Sequence, residues 1–273
     1  MSFHKISITK ITKSLCNAMN IEAPKHAEKS ITKLDEYVSY KTNKKGVDKI
    51  VIYNPDAIAS FLVDKYPHLF TNFSENSEMV LPMLSVVPPK TPVCFATIYS
   101  GATPEVHGIQ KYVKVKLTID TYFDALVRAG KTCAIVTVKN QSMDILFRGR
   151  DIDYFALAND KEVVDKSIEL INSDKYDVIV IYNQEYDDKM HRSFTTCKWA
   201  LNALKHYNES YGRIINAVSS AYKNYDTLVG AITDHGVHTS KFILGTHGKN
   251  IEKDMNILHF YKVINKIKED ENV

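Results

Sequence analysis

Acidic and histidine residues follow three apolar segments of the sequence, at the point where each segment ends. Asp56 comes after KIVIY, the NQEYDDKMH that follows DVIVIY contains Asp187 and His191, and the DHG after TLVGAIT supplies Asp234 and His235. Carboxylate oxygens and imidazole nitrogens are the ligands that zinc and similar divalent ions take in proteins. The residue types therefore indicate metal chemistry, if the fold brings them together.

A further histidine, His247, lies on a glycine-flanked turn in GTHGKN. Taken singly, each group has an ordinary structural explanation, because Asp56 and Asp187 could cap helices, His191 could be a solvated helix residue and DHG could be a simple turn. Their coincidence at successive segment ends favours a shared site. The set contains enough ligands for two ions.

The stretch PPKTPVCFATIYSG predicts a helix with Thr91 as its N-cap and Pro92 as its first residue. One interpretation is that the threonine simply caps the helix. The other is that its hydroxyl faces a ligand, because a helix N-terminus offers unpaired N–H groups and a positive dipole end to an anion such as phosphate. The segment alone leaves both interpretations open.

The order of elements predicts how these groups are positioned. Apolar segments at 49–53, 132–138, 176–182 and 227–233 are predicted as strands, and helical spacing is found at 54–66, 118–130, 161–173 and 195–225. This alternation predicts an α/β fold with a largely parallel central sheet and helices on both faces. Since ligands bind at the carboxyl ends of such strands, the acidic and histidine groups are expected at one edge of the sheet.

The first part of the chain differs from the rest. It is rich in lysine, shows helical spacing at 16–41 and ends in the turn-like TNKKG. We therefore expect a leading N-terminal helical segment over residues 1–46, followed by a single domain over residues 47–273.

Composition limits the partners of the protein. With 273 residues, 44% of them hydrophobic, the chain can bury a large core, and 35 basic against 32 acidic residues give a net charge of only +3. That balance argues against stable nucleic-acid binding. The four cysteines are widely spaced, which predicts reduced thiols, and no apolar run has the length of a signal peptide or a membrane span. We expect a cytoplasmic protein that does not bind membranes; its oligomeric state is left open.

Five short motifs occur in an order that resembles a known family. Thr91 in KTP, then SGATPEVHGI, the D-x-x-x-H of DDKMH, TDHG and THG resemble the alkaline phosphatase superfamily, in particular its type I phosphodiesterase/nucleotide pyrophosphatase branch, over roughly residues 48 to 260. The resemblance implies an alkaline phosphatase-like hydrolase with two divalent metal ions, for which zinc is expected and manganese or another divalent ion is the alternative. It also implies two ligand sets, which are Asp187, His191 and His247 for one ion, and Asp56, Thr91, Asp234 and His235 for the other.

The same resemblance implies that Thr91 is the nucleophile. A threonine hydroxyl attacks poorly at neutral pH, but a coordinated divalent ion lowers its pKa. The expected function is hydrolysis of a small-molecule phosphodiester through a phospho-threonine intermediate. Nucleotide diesterases of the family usually carry an asparagine just after HGI that contacts a phosphate oxygen. This chain has Tyr112 at that position, so Tyr112, Gln110 or Lys111 is expected to replace the contact.

Two alternatives remain open at this stage. The same metal core serves phosphomonoesterases and phosphonate hydrolases of the superfamily. From a different class, the chain could be a catalytically inactive, metal-bound binding module. His107 in HGI is expected to support its loop and not to bind metal.

Overall fold

The computed structural model describes residues 2–240 and 244–267. The strands are β1 (Ile6–Ser7), β2 (Lys49–Pro55), β3 (Met79–Leu84), β4 (Cys133–Val138), β5 (Asp153–Leu157), β6 (Val178–Asn183), β7 (Thr227–Ile232), β8 (His238–Thr239), β9 (Gly245–Thr246) and β10 (Asn256–Ile264). The helices are α1 (Ile11–Ala18), α2 (Thr32–Lys41), α3 (Ser60–Lys65), α4 (Thr71–Glu75), α5 (Thr91–Ser100), α6 (Pro104–His107), α7 (Tyr122–Arg128), α8 (Ser142–Phe147), α9 (Asp160–Ser173), α10 (Glu185–His191), α11 (Lys198–Ala221) and α12 (Glu252–Met255), with 3₁₀ turns at Ile8–Lys10 and Pro67–Leu69.

Eight strands form one sheet in the order β1-β3-β10-β7-β2-β6-β4-β5. Only β10 runs antiparallel to its neighbours in this sheet, so the predicted α/β fold with a largely parallel sheet is confirmed. The strands β2, β4, β6 and β7 are buried along their whole length. Continuous apolar runs of this kind are typical of parallel strands that are covered on both faces.

Alternation along the central strands divides the core into two layers. Ile50 and Ile52 of β2 pack with α1, α2, α5, α7 and α8, whereas Val51 and Tyr53 pack with α3, α4, α9, α10 and α11. Successive side chains of a strand point to opposite faces, so one strand anchors both layers. The N-terminal helices α1 and α2 thus contribute to the same apolar layer as the sheet.

The carboxyl edge of the sheet gathers the loops that matter for function. The parallel strands β2, β6 and β7 end there, and β3 leads through a short loop to α5. Because β10 is antiparallel, its first residue lies at that same edge, and so does the 247–255 segment that precedes it. One reversed strand therefore adds another loop to the edge where the parallel strands end.

Some local predictions are wrong. The helical spacing at 16–41 does not give one helix: α1 ends at Ala18, and Asn20 adopts a left-handed conformation with φ 54° that turns the chain. The amide of Val47 then donates to the Ala18 carbonyl, which fixes this turn. The predicted 54–66 helix begins only at Ser60, since Pro55 still belongs to β2. Strands β3, β5 and β10 were not predicted at all.

Among the described residues, no helix combines the length and the apolar content needed to cross a membrane.

An aromatic cluster on one face of the sheet generates a stability prediction. The Phe73 ring is buried, stacks on Tyr211 at a centroid distance of 4.7 Å and contacts Phe260 at 5.5 Å. Phe73→Ala should lower the free energy of unfolding by about 3–5 kcal/mol, because it removes a buried ring and leaves a cavity. Phe3→Ala is the matched control, since Phe3 is 44% exposed, and should change stability by less than about 0.5 kcal/mol. Urea unfolding measures both, and equal losses would contradict this account of the cluster.

Candidate metal centre and nucleophile

One ligand set lies where α10 meets the 245–247 turn. The Nε2 atoms of His191 and His247 are 3.4 and 3.5 Å from the same oxygen, Oδ1 of Asp187. The two Nε2 atoms are 3.2 Å apart. Asp187 and His191 are four residues apart on α10, a spacing that places both side chains on one face of a helix. Three donor atoms thus converge within a volume that one cation would fill.

A second set lies deeper, where the loops after β2 and β7 meet. His235 Nε2 is 3.3 Å from Asp234 Oδ2 and 3.6 Å from Asp56 Oδ1. All three side chains are buried, with exposed fractions between 0 and 2%. Asp56 is the first residue after β2 and Asp234 is the second residue after β7, and the adjacency of these parallel strands brings the two carboxylates together.

Thr91 stands beside this deeper set. Its hydroxyl is 3.3 Å from His235 Nε2 and is buried. The predicted N-cap role for Thr91 is wrong by one position: Lys90 is the N-cap of α5, and Thr91 is the first helical residue with Pro92 after it. The Thr91 side chain does not cap α5, and its hydroxyl lies beside the acidic and histidine groups. The interpretation in which this hydroxyl faces a ligand site fits the observed geometry.

The two sets form one centre. The rings of His235 and His247 stack with their centroids 3.9 Å apart and an interplanar angle of 17°. His191 and His247 have ring centroids 5.1 Å apart. The structure therefore brings together all seven residues that the motifs singled out, which are Asp56, Thr91, Asp187, His191, Asp234, His235 and His247.

Backbone carbonyls fix the protonation of the three imidazoles. The Nδ1 atoms of His191, His235 and His247 lie 3.2, 3.0 and 2.8 Å from the carbonyl oxygens of Gly245, Gly236 and Pro89. A carbonyl can only accept, so each Nδ1 carries the proton of the neutral ring and each Nε2 presents a lone pair. A carbonyl partner on the far nitrogen is the usual support of a metal-binding histidine.

Three carboxylate oxygens face these lone pairs. Asp56 Oδ1, Asp187 Oδ1 and Asp234 Oδ2 are buried atoms without a hydrogen-bond partner among the described residues, and each lies 3.3 to 3.6 Å from an imidazole Nε2. An arrangement of acceptors against acceptors is unfavourable unless a positive charge lies between them. The donor set, nitrogen and oxygen in groups of three, suits divalent zinc or a similar ion. These residues therefore fit two metal ions.

Burial shifts the pKa values of these groups. It lowers the pKa of His235 to about 3 and that of His247 well below its usual range. Burial and then the neighbouring carboxylates raise the pKa of Asp56 well above normal, and burial raises the pKa of Asp234 to about 7. Each shift disfavours the charged form in the absence of a cation.

Hydrogen bonds between loops hold the ligands in place. The amide of Ala57 donates to Asp234 Oδ1 at 3.2 Å, and Ala57 itself adopts a left-handed φ of 67°. Asp254 links two further loops: its carboxylate accepts from His238 at 2.7 Å and from the amide of Lys249 at 2.9 Å, while its carbonyl accepts from the amide of Gly236. The loops that carry His235 and His247 are thus tied to one buried residue.

A cavity of about 290 Å³ opens onto the centre. Tyr112 lines it, as expected for a residue near substrate, but Lys111 is an exposed side chain that is not among the lining residues. Lys90 is the cationic side chain of its wall among the described residues. His107 lies elsewhere, with Nε2 2.9 Å from the hydroxyl of Thr97, in agreement with a supporting role.

Two contributors were missed by sequence reasoning. The Tyr182 hydroxyl donates to Asp56 Oδ2, and Tyr182 is the penultimate residue of the buried strand β6, where a polar group at the carboxyl end could have been noticed. Asp254 had no signal, because it lies within a helix of four residues, which is too short to show a periodic pattern.

Solved structures share this fold. Murine ectonucleotide pyrophosphatase/phosphodiesterase 5 matches with a TM-score of 0.57 and 19% identity, over 71% of this chain and 59% of that chain. An inactive variant of the murine protein, in complex with AMP, matches with a TM-score of 0.59 and 18% identity over the same shares. Phosphonoacetate hydrolase from Sinorhizobium meliloti, in complex with phosphonoformate, matches with a TM-score of 0.51 and 16% identity, over 69% of this chain and 56% of that chain.

This chain shares the fold of these ectonucleotide pyrophosphatase/phosphodiesterase and phosphonoacetate hydrolase structures, so the resemblance read from the motifs is confirmed at the level of the fold. The chain spans less than two thirds of the length of these neighbours. No family model and no curated protein sequence matches it.

The shifted pKa values generate a prediction for the protein stripped of metal with EDTA. When folding raises the pKa of a carboxyl group, the free energy of unfolding decreases as the pH rises from the pKa of the unfolded chain, ~3.9, to the pKa of the folded protein. When folding lowers the pKa of a histidine, the free energy of unfolding decreases only below about pH 6.5. Above about pH 6.5, therefore, the carboxyl groups dominate, and Tm should fall as the pH passes the Asp234 pKa of about 7. Zinc should raise Tm more at the higher pH.

Thermal unfolding with and without zinc measures this effect. Asp56→Asn removes one buried charge and keeps an acceptor for Tyr182, so it should flatten the fall of Tm in EDTA and reduce the zinc effect. A Tm that is independent of pH in this window would show that the buried carboxylates are not linked to folding.

Proposed function

We propose that this protein is a two-metal phosphodiester hydrolase that acts through a phospho-threonine intermediate. The observation that carries the proposal is the position of the Thr91 hydroxyl, 3.3 Å from Nε2 of His235, which belongs to the deeper of two ligand sets whose buried carboxylate oxygens lack hydrogen-bond partners among the described residues. The fold is shared with phosphoester and phosphonate hydrolases, which supports hydrolase activity.

Asp187, His191 and His247 would hold one ion, and Asp56, Asp234 and His235 would hold the other with Thr91 beside it. Bound divalent ions would supply Lewis acidity that lowers the pKa of the threonine hydroxyl and offsets negative charge on the phosphoryl oxygens. We propose zinc, since nitrogen and carboxylate oxygen donors in this number suit it.

Residues of the chain supply the nucleophile and the hydrogen-bond donors for the phosphoryl group. Thr91 Oγ1 gives its proton to solvent and attacks phosphorus, and the ester oxygen leaves and takes up a proton as the alcohol. Water then attacks the phospho-threonine, which releases the phosphate monoester and restores the Thr91 hydroxyl. As the first residue of α5, Thr91 lies where the backbone N–H groups lack helical acceptors, and these groups can donate to the phosphoryl oxygens. Burial of Thr91 excludes bulk water from the attacking oxygen, which strengthens these interactions.

The cavity limits the substrate. A volume of about 290 Å³ accommodates a small phosphate ester and not a folded macromolecule. The AMP complex of the murine neighbour supports a small-molecule phosphate ester as the substrate class. The fold shared with phosphonoacetate hydrolase favours phosphonate hydrolysis as the second candidate function.

A cytoplasmic location remains part of this proposal.

The nucleophile can be tested by substitution. Thr91→Ala should lower kcat by several orders of magnitude and leave most zinc affinity intact, because Asp56, Asp234 and His235 remain as ligands. Thr91→Ser should retain much more activity, since it keeps the hydroxyl. Steady-state kinetics and the zinc content of each variant give the answer. Near wild-type turnover by Thr91→Ala would rule out covalent attack by this residue.

The substrate class can be tested with two aryl esters. A monoester places up to two charges at phosphorus and needs additional donors, but among the described residues the cavity wall has Lys90 and no arginine. We expect kcat/KM for bis-(p-nitrophenyl) phosphate to exceed that for p-nitrophenyl phosphate by at least about tenfold, or roughly 1.4 kcal/mol.

Both assays should use the same pH and added zinc or manganese, with a phenylphosphonate ester as the third arm. A preference for the monoester or the phosphonate would make that activity the better name. Turnover of none of them would favour a metal-bound binding module.

A further inference from the structure

One lysine of the metal cavity is neither a candidate metal ligand nor part of an ion pair. Lys90 lines the cavity wall, is half-buried and directly precedes Thr91 in the chain. No carboxylate among the described residues lies within ion-pair distance of its ammonium group. The N–H donors of one charged group are therefore available to a molecule bound in the cavity.

The carboxylates of the same wall face other groups. Asp187 Oδ1 lies 3.4 and 3.5 Å from two imidazole nitrogens. Asp188 Oδ2 accepts from the side-chain amide of Gln184 at 3.1 Å. Lys90 is therefore not held in place by an ion pair, and a different contact sets the direction of its side chain.

That contact is a close approach to a glycine. A Cβ atom on Gly248 would lie 3.0 Å from both Cε and Nζ of Lys90, closer than side chains usually pack. The end of the lysine side chain thus crosses Gly248, which directly follows His247. The ammonium group is therefore next to the outer ligand set, which comprises Asp187, His191 and His247.

The charge of Lys90 acts on this outer set. Burial lowers the pKa of His191, and the Lys90 charge adds to the lowering. Burial lowers the pKa of His247 well below its usual range, with smaller contributions that include Lys90. Burial and then neighbouring carboxylates raise the pKa of Asp187, and Lys90 opposes that rise. Each effect has the sign expected of a positive charge close to these groups.

Lys90 lies on the side of the centre from which a leaving group departs. Displacement at phosphorus is in line, so the leaving oxygen faces away from the attacking oxygen. Thr91 Oγ1 lies 3.3 Å from Nε2 of His235, in the deeper ligand set. The leaving oxygen of an ester attacked by Thr91 is then directed towards the outer set, where the Lys90 ammonium group lies.

We propose that Lys90 is a catalytic residue that donates a proton to the leaving-group oxygen. The inference rests on the proposed hydrolase function and adds to it a class of leaving group, that of alcohols too weakly acidic to depart readily as anions. As Thr91 attacks, the bond between phosphorus and the leaving oxygen breaks. This oxygen takes a proton from the Lys90 ammonium group and departs as the alcohol, and the neutral amine regains a proton from solvent.

Two diesters with different leaving groups test this role. The p-nitrophenolate released from p-nitrophenyl methyl phosphate is a stable anion, whereas the phenolate of phenyl methyl phosphate is more basic and gains more from a proton. Lys90→Met removes the donor and keeps much of the side-chain volume. It should lower kcat/KM about a hundredfold for the phenyl ester and at most about threefold for the p-nitrophenyl ester.

Lys249→Met is the matched control, because the Lys249 side chain is exposed, follows Gly248 directly and does not line the cavity. Since an exposed charge is largely screened, this variant should leave both values of kcat/KM within about twofold. The zinc content of the wild type and of both variants should be equal, because an ammonium group has no lone pair for a metal ion.

The ratio of the two kcat/KM values decides the outcome. Losses of equal size on both esters in Lys90→Met would overturn the proposal, since Lys90 would then act on a part common to both substrates or on the fold. Unchanged rates would overturn it too, and so would a loss of zinc from Lys90→Met. Turnover of neither ester by the wild type would instead refute the proposed hydrolase function, and the role of Lys90 with it.

Discussion

The centre of this molecule depends on one electrostatic constraint: three buried carboxylate oxygens face imidazole nitrogens, and none of the three has a hydrogen-bond partner among the described residues. Three backbone carbonyls take the Nδ1 protons of His191, His235 and His247, which leaves their Nε2 atoms facing unpaired oxygens of Asp56, Asp187 and Asp234. Such a cluster is costly unless cations occupy it. The surrounding fold must supply enough stability to keep these groups together, and the long buried strands of the sheet do so.

Topology explains how residues from distant parts of the chain satisfy that constraint. The strands β2, β6 and β7 are neighbours in the sheet and run in the same direction, so the residues after them meet at one edge. The reversed strand β10 brings a further loop with His247 to that edge. Asp254 then links this loop to the loop that carries His235, through hydrogen bonds that the order of the strands does not predict.

The sequence was sufficient to predict the central strands and the ligands that follow them, but not the strands nearer the edge of the sheet, and the reasons are physical. Buried parallel strands are continuous apolar runs, so KIVIY, DVIVIY and TLVGAIT could be found, and with them the positions of their ligands. Strand β3 contains Pro82 and alternates exposed and buried residues, and β5 at the sheet edge is half-exposed, so neither has a strong apolar signal. The role of Asp254 could not be predicted, because it depends on hydrogen bonds with His238, Lys249 and Gly236 that only the three-dimensional structure shows.

The two halves of the centre differ in their access to solvent. The His191 side chain is 41% exposed, whereas His235 is fully buried behind it and stacks against His247. An ion held by the outer set would have solvent next to one of its ligands. An ion held by the inner set would be enclosed by buried side chains and would reach solvent through the cavity that Asp56 and Thr91 line. The outer position is therefore the more open of the two to water, and the inner position is the more shielded from it.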